Sequence, residues 1–201
     1  MAENLSQQLK NYDLDELKSL SQKIRQEIID SVSINGGHLS PNLGVVELTI
    51  ALHKIFDFPT DSLIFDVGHQ SYTHKILSGR EEEFKKIRQF DSISGFPRPE
   101  ESEYDSFIAG HAGAALSAAI GISESKFLTN DQSSTIAVIG DGSIGCGMTL
   151  EALTRAYYRN LVTVLLCCGG SFGAVSIVPV CDKALESADT NGLALDTSDT
   201  L

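Results

Sequence analysis

The sequence predicts an α/β fold, a parallel sheet with helices on both faces. Two observations carry this. Short apolar segments of strand length, at residues 62–67, 134–139 and 161–166, alternate with longer stretches of helical periodicity. Glycine-bearing turns (Gly68-His69-Gln70, Gly110-His111-Ala112 and Gly140-Asp141-Gly142-Ser143) end such strands or lead straight into helices. Sheets of this kind bind ligands at the carboxyl ends of their strands.

The elements follow in order. Asp13 starts a helix, with Glu16 three residues on as in a capping box, and Leu17, Leu20, Ile24, Ile28 and Ile29 then recur at helical spacing. Residues 31–40, with Asn35-Gly36-Gly37-His38, read as a turn, and residues 43–56 as a more apolar helix. The strand at 62–67 breaks at Gly68-His69, and helix resumes at 72–77 and again, amphipathically, at 81–88. Residues 91–105 form a loop rich in proline, glycine and acidic groups. A small-residue helix spans 113–123, a buried-type strand 134–139, a helix 148–158 and a further strand 161–166. Beyond residue 166 periodicity is lost, and residues 182–201 are acidic and poor in large apolar groups, as in a poorly ordered tail. The expected organisation is therefore one domain over residues 1–166 and a divergent tail over 167–201.

Composition excludes some functions. Fifteen Lys and Arg stand against 27 Asp and Glu, a net charge of −12, which lacks the basic footprint of nucleic-acid binding. An anionic ligand remains compatible, since a metal ion and helix N-termini hold phosphate without a basic surface. The first residues are polar, so no signal peptide is expected, and no apolar run approaches the ~20 residues of a membrane helix. Cysteines at 146, 167, 168 and 181 suit neither a disulfide framework nor a CxxC metal site, so reduced thiols in a cytoplasmic protein are expected.

Four segments can carry chemistry. In Gly140-Asp141-Gly142-Ser143 an apolar strand delivers Asp141 to the sheet edge, where a hard cation takes carboxylate and phosphate oxygens; a tight turn with a helix-capping Asp has the same sequence. Gly68-His69 through His74-Lys75 places two histidines and a lysine after a strand. Their five-residue spacing does not set both histidines on one helix face for a metal, and a solvated capping segment is the alternative. Gly110-His111-Ala112 opens a helix with small residues that permit close approach of a ligand or of another backbone. His38 sits in a glycine turn from which it could reach a site, or simply join two helices. His53, mid-helix, reads as structural or solvated. Neither a nucleophile elbow nor a P-loop occurs.

Together these segments resemble the amino-terminal, transketolase-like domain of the 1-deoxy-D-xylulose-5-phosphate synthase family. The resemblance is carried by residues 33–52 (SINGGHLSPNLGVVELTIAL), 65–80 (FDVGHQSYTHKILSGR), 101–111 (ESEYDSFIAGH) and 138–153 (VIGDGSIGCGMTLEAL). It implies an incomplete thiamine-diphosphate-binding domain of the diphosphate-holding type, with Asp141 a Mg2+ ligand and Gly142 and Ser143 along the diphosphate. It further implies cofactor contacts from His69 and from Gly110, His111 and Ala112. His38 and His74 are implied on the substrate side, in proton transfer or phosphate recognition. The implied reaction joins pyruvate, with decarboxylation, to glyceraldehyde 3-phosphate on the way to isoprenoid precursors, in a homodimer. Two departures stand out. The resemblance implies an Asn past the next strand as second metal ligand, where this chain has Cys167-Cys168, and thiols suit magnesium poorly. The family's glutamate-bearing second domain and its third domain have no counterpart in the 201 residues. The expectations are a synthase-derived chain inactive by itself, with a non-catalytic cofactor-binding module or one subunit of a split thiamine transferase as alternatives. Uncovered apolar surface predicts self-association.

Overall fold

The computed structural model describes residues 4–159, 163–167 and 175–176. A short helix, α1 (Leu5–Gln8), capped by the Asn4 side chain, leads through a tight turn at Leu9–Asn11 into α2 (Leu14–Asn35). Asp13 caps α2 as expected. Its carboxylate accepts from the Asp15 and Glu16 amides, both at 2.9 Å, while Glu16 accepts from the Asp13 amide at 2.8 Å. Leu20, Ile24 and Ile28 recur every fourth residue and face the core, whereas Ile29 is on the outer side. The helix continues through the expected turn at 31–35 and stops where Gly36 takes a left-handed φ of 73°.

The expected helix at 43–56 is two elements, α3 (Leu39–Leu43) and α4 (Val46–Ile55). Then come β1 (Ser62–Phe65), α5 (Tyr72–Lys75), a kinked turn over Ile76–Arg80 and α6 (Glu81–Phe84). The helix expected to reach residue 88 ends at Phe84; Arg88 adopts a φ of 66° and donates its amide to the Ile93 carbonyl, reversing the chain instead. The remaining elements are α7 (Ala115–Leu128), β2 (Thr135–Gly140), α8 (Asp141–Ile144), α9 (Gly147–Arg159), β3 (Thr163–Cys167) and β4 (Val175–Ser176). Gly113 was expected inside a helix, but its φ of 94° excludes it, so α7 begins two residues later.

The sheet order is β1-β2-β3-β4, with β1, β2 and β3 parallel and β4 antiparallel to β3. Alternate residues feed opposite faces. Ile64, Ala137 and Ile139 pack with Leu116, Ala119 and Ile120 of α7 and Ala152 of α9. Leu63, Phe65, Ile136 and Val138 pack with Leu52, Phe58 and Tyr104 on the other side. Helices thus cover both faces. A third cluster joins α2, α4, α5 and α6 through Ile24, Ile28, Ile50, Tyr72 and Phe84. Apart from Cys167 and β4, the expected tail at 167–201 lies outside the described residues.

Candidate functional site

The parallel strands all end toward one edge, where the Gly68 turn follows β1 and α8 follows β2, while the Gly110 turn leads from the preceding loop into α7. Phe65 is level with Val138, and the Asp66 amide donates to the Val138 carbonyl at 2.8 Å, so the turn after β1 and the turn after β2 start side by side. Val67 and Gly68, with φ of 61° and 87°, reverse the chain sharply after Asp66. A side chain at Gly68 would strike Pro97, so this turn is packed under the 91–105 loop.

His38 and His69 meet at this edge. Their rings are 5.3 Å apart, edge to face, and Phe96 closes on His38 from 6.0 Å. Asn42, fully buried, ties the two turns together. Its amide nitrogen donates to the His38 carbonyl at 2.6 Å and to the His69 carbonyl at 2.8 Å, and its oxygen accepts from the Tyr72 amide at 2.9 Å. The Nδ1 atoms of both His38 and His69 are buried and have no hydrogen-bond partner among the described residues. Burial, and then the neighbouring His38, push His69 down from its usual range, against Asp66, which pulls it up. His69 is therefore a neutral imidazole at pH 7, with one nitrogen able to donate and the other to accept.

The second turn is held by Asp66, which sequence reasoning missed. It is 1% exposed, and its two oxygens accept from the Gly113 amide at 3.0 and 2.9 Å and from the Ala115 amide at 3.1 Å. Gly110, His111 and Ala112 stay exposed on the outer arc of this turn. A side chain at Gly113 would lie 2.8 Å from the Cys146 β-carbon, so the turn also abuts the junction of α8 and α9. That junction follows the third turn. Asp141 and Gly142 are exposed, Ser143 is buried, and the Asp141 carboxylate accepts from the Gly142 amide at 2.9 Å. Gly140 is level with Cys167 at the end of β3. Among the described residues no group of three or more His, Cys, Asp or Glu side chains gathers as a metal site. A cation held by the Asp141 carboxylate would complete its shell with phosphate oxygens and water, the usual habit of magnesium.

His74 departs from expectation. Rather than joining His38 and His69, it is 1% exposed and lies among Phe58, Phe65 and Tyr104. Both ring nitrogens are engaged: Nε2 with Asp105 Oδ1 at 3.1 Å and Nδ1 with His53 Nε2 at 2.9 Å, while His53 Nδ1 meets Ser6 Oγ at 2.6 Å. A carboxylate only accepts, so the chain of donors has one direction: Ser6 to His53, His53 to His74, His74 to Asp105. Burial pushes both histidines down, His53 well below its usual range, which keeps them neutral at pH 7. No nitrogen of His74 is left for a substrate. The fold also accounts for His53, which is a core residue rather than a solvated one.

Asp105 is the hub of this core. It accepts both Arg80 terminal nitrogens, at 2.7 and 2.8 Å, and the Arg98 amide at 2.7 Å. Burial opposes its ionisation, but the hydrogen bonds from Arg80 and His74 prevail and hold the carboxyl well below the usual carboxylate range. Lys75, with its side chain fully buried, reaches Glu101 at 2.6 Å, and Glu101 accepts the Ser94 amide at 2.7 Å. These bonds fix both ends of the loop that carries Phe96 and Pro97 over the histidine pair.

A family model described as 1-deoxy-D-xylulose-5-phosphate synthase matches residues 2–170. The 1-deoxy-D-xylulose-5-phosphate synthase of Dictyoglomus thermophilum is 53% identical over 164 residues, covering 81% of this chain and 26% of its own length. That of Natranaerobius thermophilus is 46% identical over 179 residues, covering 86% of this chain and 28% of its own. The chain thus spans about a quarter of the length of the curated relatives it matches. Among solved structures, transketolase from Pichia stipitis superposes with a TM-score of 0.66 at 22% identity, over 75% of this chain and 26% of that one. Transketolase from Campylobacter jejuni gives 0.65 at 23%, over 76% and 28%. At such identities the structural likeness establishes the fold.

Proposed function

The chain belongs to the 1-deoxy-D-xylulose-5-phosphate synthase family, and from that premise we propose that residues 1–166 are the cofactor-holding part of a thiamine-diphosphate-dependent transferase. One observation carries the reading: the segments after β1 and β2 start side by side at one sheet edge, Asp66 holds the Gly113 end of the Gly110 turn to the first of them, and His38 and His69 meet beside it with buried Nδ1 atoms that have no hydrogen-bond partner among the described residues. The donor set fits a diphosphate and its metal. Asp141 is the oxygen ligand for Mg2+, Gly142 and Ser143 run along the diphosphate, and His69 with Gly110, His111 and Ala112 completes the cofactor contacts. His38, beside His69, faces the substrate side as a proton carrier or phosphate donor. His74 is assigned no proton transfer, because both its nitrogens are engaged inside the core; its part is to hold Asp105 and, through it, the loop over His38. Thiamine diphosphate, when bound, supplies the carbanion-stabilising chemistry that decarboxylation of an α-keto acid needs.

The substrates are pyruvate and glyceraldehyde 3-phosphate, the product serves isoprenoid precursor synthesis, and the working protein is a cytoplasmic homodimer. No helix among the described residues is long and apolar enough to cross a membrane. The 201-residue chain purified by itself should bind magnesium and thiamine diphosphate weakly and show no turnover, since its match covers only about a quarter of the relatives. Calorimetric titration of the chain with thiamine diphosphate in the presence of Mg2+ tests the site. Binding should be lost in Asp141→Ala, and tight binding that survives this substitution would refute the placement. Turnover by the isolated chain would refute the expectation of inactivity.

A further inference from the structure

Asp66 lies outside every motif role assigned so far, yet its carboxylate hydrogen-bonds the residue after β1 to the start of α7. We propose that Asp66 is a positioning residue for the cofactor site: it is the built-in anion of α7 and sets the Gly110–Ala112 turn beside the Gly68–His69 turn. The consequence for the cofactor rests on the thiamine-diphosphate reading above; the hold on the turn does not.

The geometry supports this from both sides. A helix begins with amides that lack intrahelical partners and carry a partial positive charge. The residue before α7 is Ala114, which has no side chain able to cap it. Asp66 supplies the cap from 47 to 49 residues upstream, accepting from Gly113 and Ala115. A carboxylate 1% exposed needs such donors, because burial without them is costly. Asp66 is itself clamped to the sheet by its amide bond to Val138. Its carbonyl accepts from the Gly68 amide at 2.7 Å and from the Gln70 side chain at 3.1 Å. One residue thereby shapes two of the three turns. With the amides of Gly113 and Ala115 taken, a phosphate on the α7 terminus would have to displace a buried group of like charge. Contact with the cofactor is left to the exposed arc Gly110–Ala112.

The test compares the 201-residue chain with Asp66→Asn, which keeps volume and one acceptor, and with Asp66→Ala. Amide hydrogen exchange is followed without cofactor across residues 107–118, and affinity for thiamine diphosphate with Mg2+ is measured by calorimetry. Both variants should lose protection at Gly113 and Ala115 while the sheet stays protected. Affinity should fall on the order of tenfold, the usual scale for removing a group that orients a ligand-holding partner. A control, Ile120→Val on the buried side of α7, should lower stability and leave affinity unchanged. Unchanged protection at Gly113 and Ala115 would overturn the proposal. So would lost protection with unchanged affinity, or collapse of the whole fold in both variants, which would make Asp66 a stability residue only. If the unsubstituted chain itself does not bind the cofactor, the functional reading fails, and the exchange data alone decide whether Asp66 holds the turn.

Discussion

Asp105→Asn should destabilise the protein by about 3 kcal/mol at pH 7. The substitution preserves shape, so no cavity enters. What is lost is the charge facing Arg80, bound through two nitrogens at 2.7 and 2.8 Å, and Lys75, 3.9 Å away. In Asn one of the two accepting oxygens becomes a donor aimed at donors. Removing one partner of a buried ion pair typically costs ~3–5 kcal/mol, because the other charge is stranded. The low end applies here, since Glu101 remains 3.6 Å from Arg80 and 2.6 Å from Lys75. Against a total stability on the order of 5–15 kcal/mol this is large, and it corresponds to a fall in melting temperature of roughly 6–12 °C for a chain of this size. Urea unfolding followed by circular dichroism measures it. The pH dependence adds a second check. The folded carboxyl of Asp105 lies below its ordinary value of 3.8, so its contribution is complete above that value and is lost as pH falls beneath it. The stability curves of the two proteins should therefore converge below about pH 4. A loss under about 1 kcal/mol at pH 7 would refute the hub, since it would place Asp105 with surface ion pairs.

Three further outcomes are expected. His53 and His74 are held below their ordinary value of 6.5, so the unfolded chain binds more protons and stability should decline as pH falls below 6.5; denaturant midpoints in His53→Gln should show a shallower decline. Gly113→Ala should cost on the order of 2 kcal/mol or more, because φ is 94° and the added methyl meets the Cys146 β-carbon at 2.8 Å; thermal melts that match the unsubstituted chain would contradict the packing. Glu27, pushed up to about 7 by burial and by neighbouring Glu81, carries an ionisation cost in the folded state above that pH. Glu27→Gln should accordingly raise the melting temperature at pH 8 more than at pH 5, and an equal shift at both would show that burial is not the cause.

Much of the fold was legible in the chain because it is written in local pattern. Apolar runs of strand length, the Asp13–Glu16 capping box and the glycines at strand ends each encode their structure within a few residues. Boundaries were less legible where a single backbone conformation decides them. Gly36 and Gly113 at positive φ end one helix and delay another, and Arg88 reverses a chain that looked helical. The site was legible as a set of motifs. Its connections were not, because Asn42 and Asp66 act on partners about 27 to 49 residues away, with no local signature beyond a polar residue in an apolar neighbourhood.

The sequence by itself pointed to the family through the resemblance of its motif runs, and to the parallel α/β architecture and its glycine turns through spacing and residue type. Only the tertiary structure decided what the histidines do. His38 and His69 meet at the edge with Nδ1 atoms that have no hydrogen-bond partner among the described residues, and His74, five residues after His69, is closed inside the core. The physical reason is burial. A histidine's role depends on which atoms around it can donate, accept or exclude water, and those atoms belong to segments that only folding brings together.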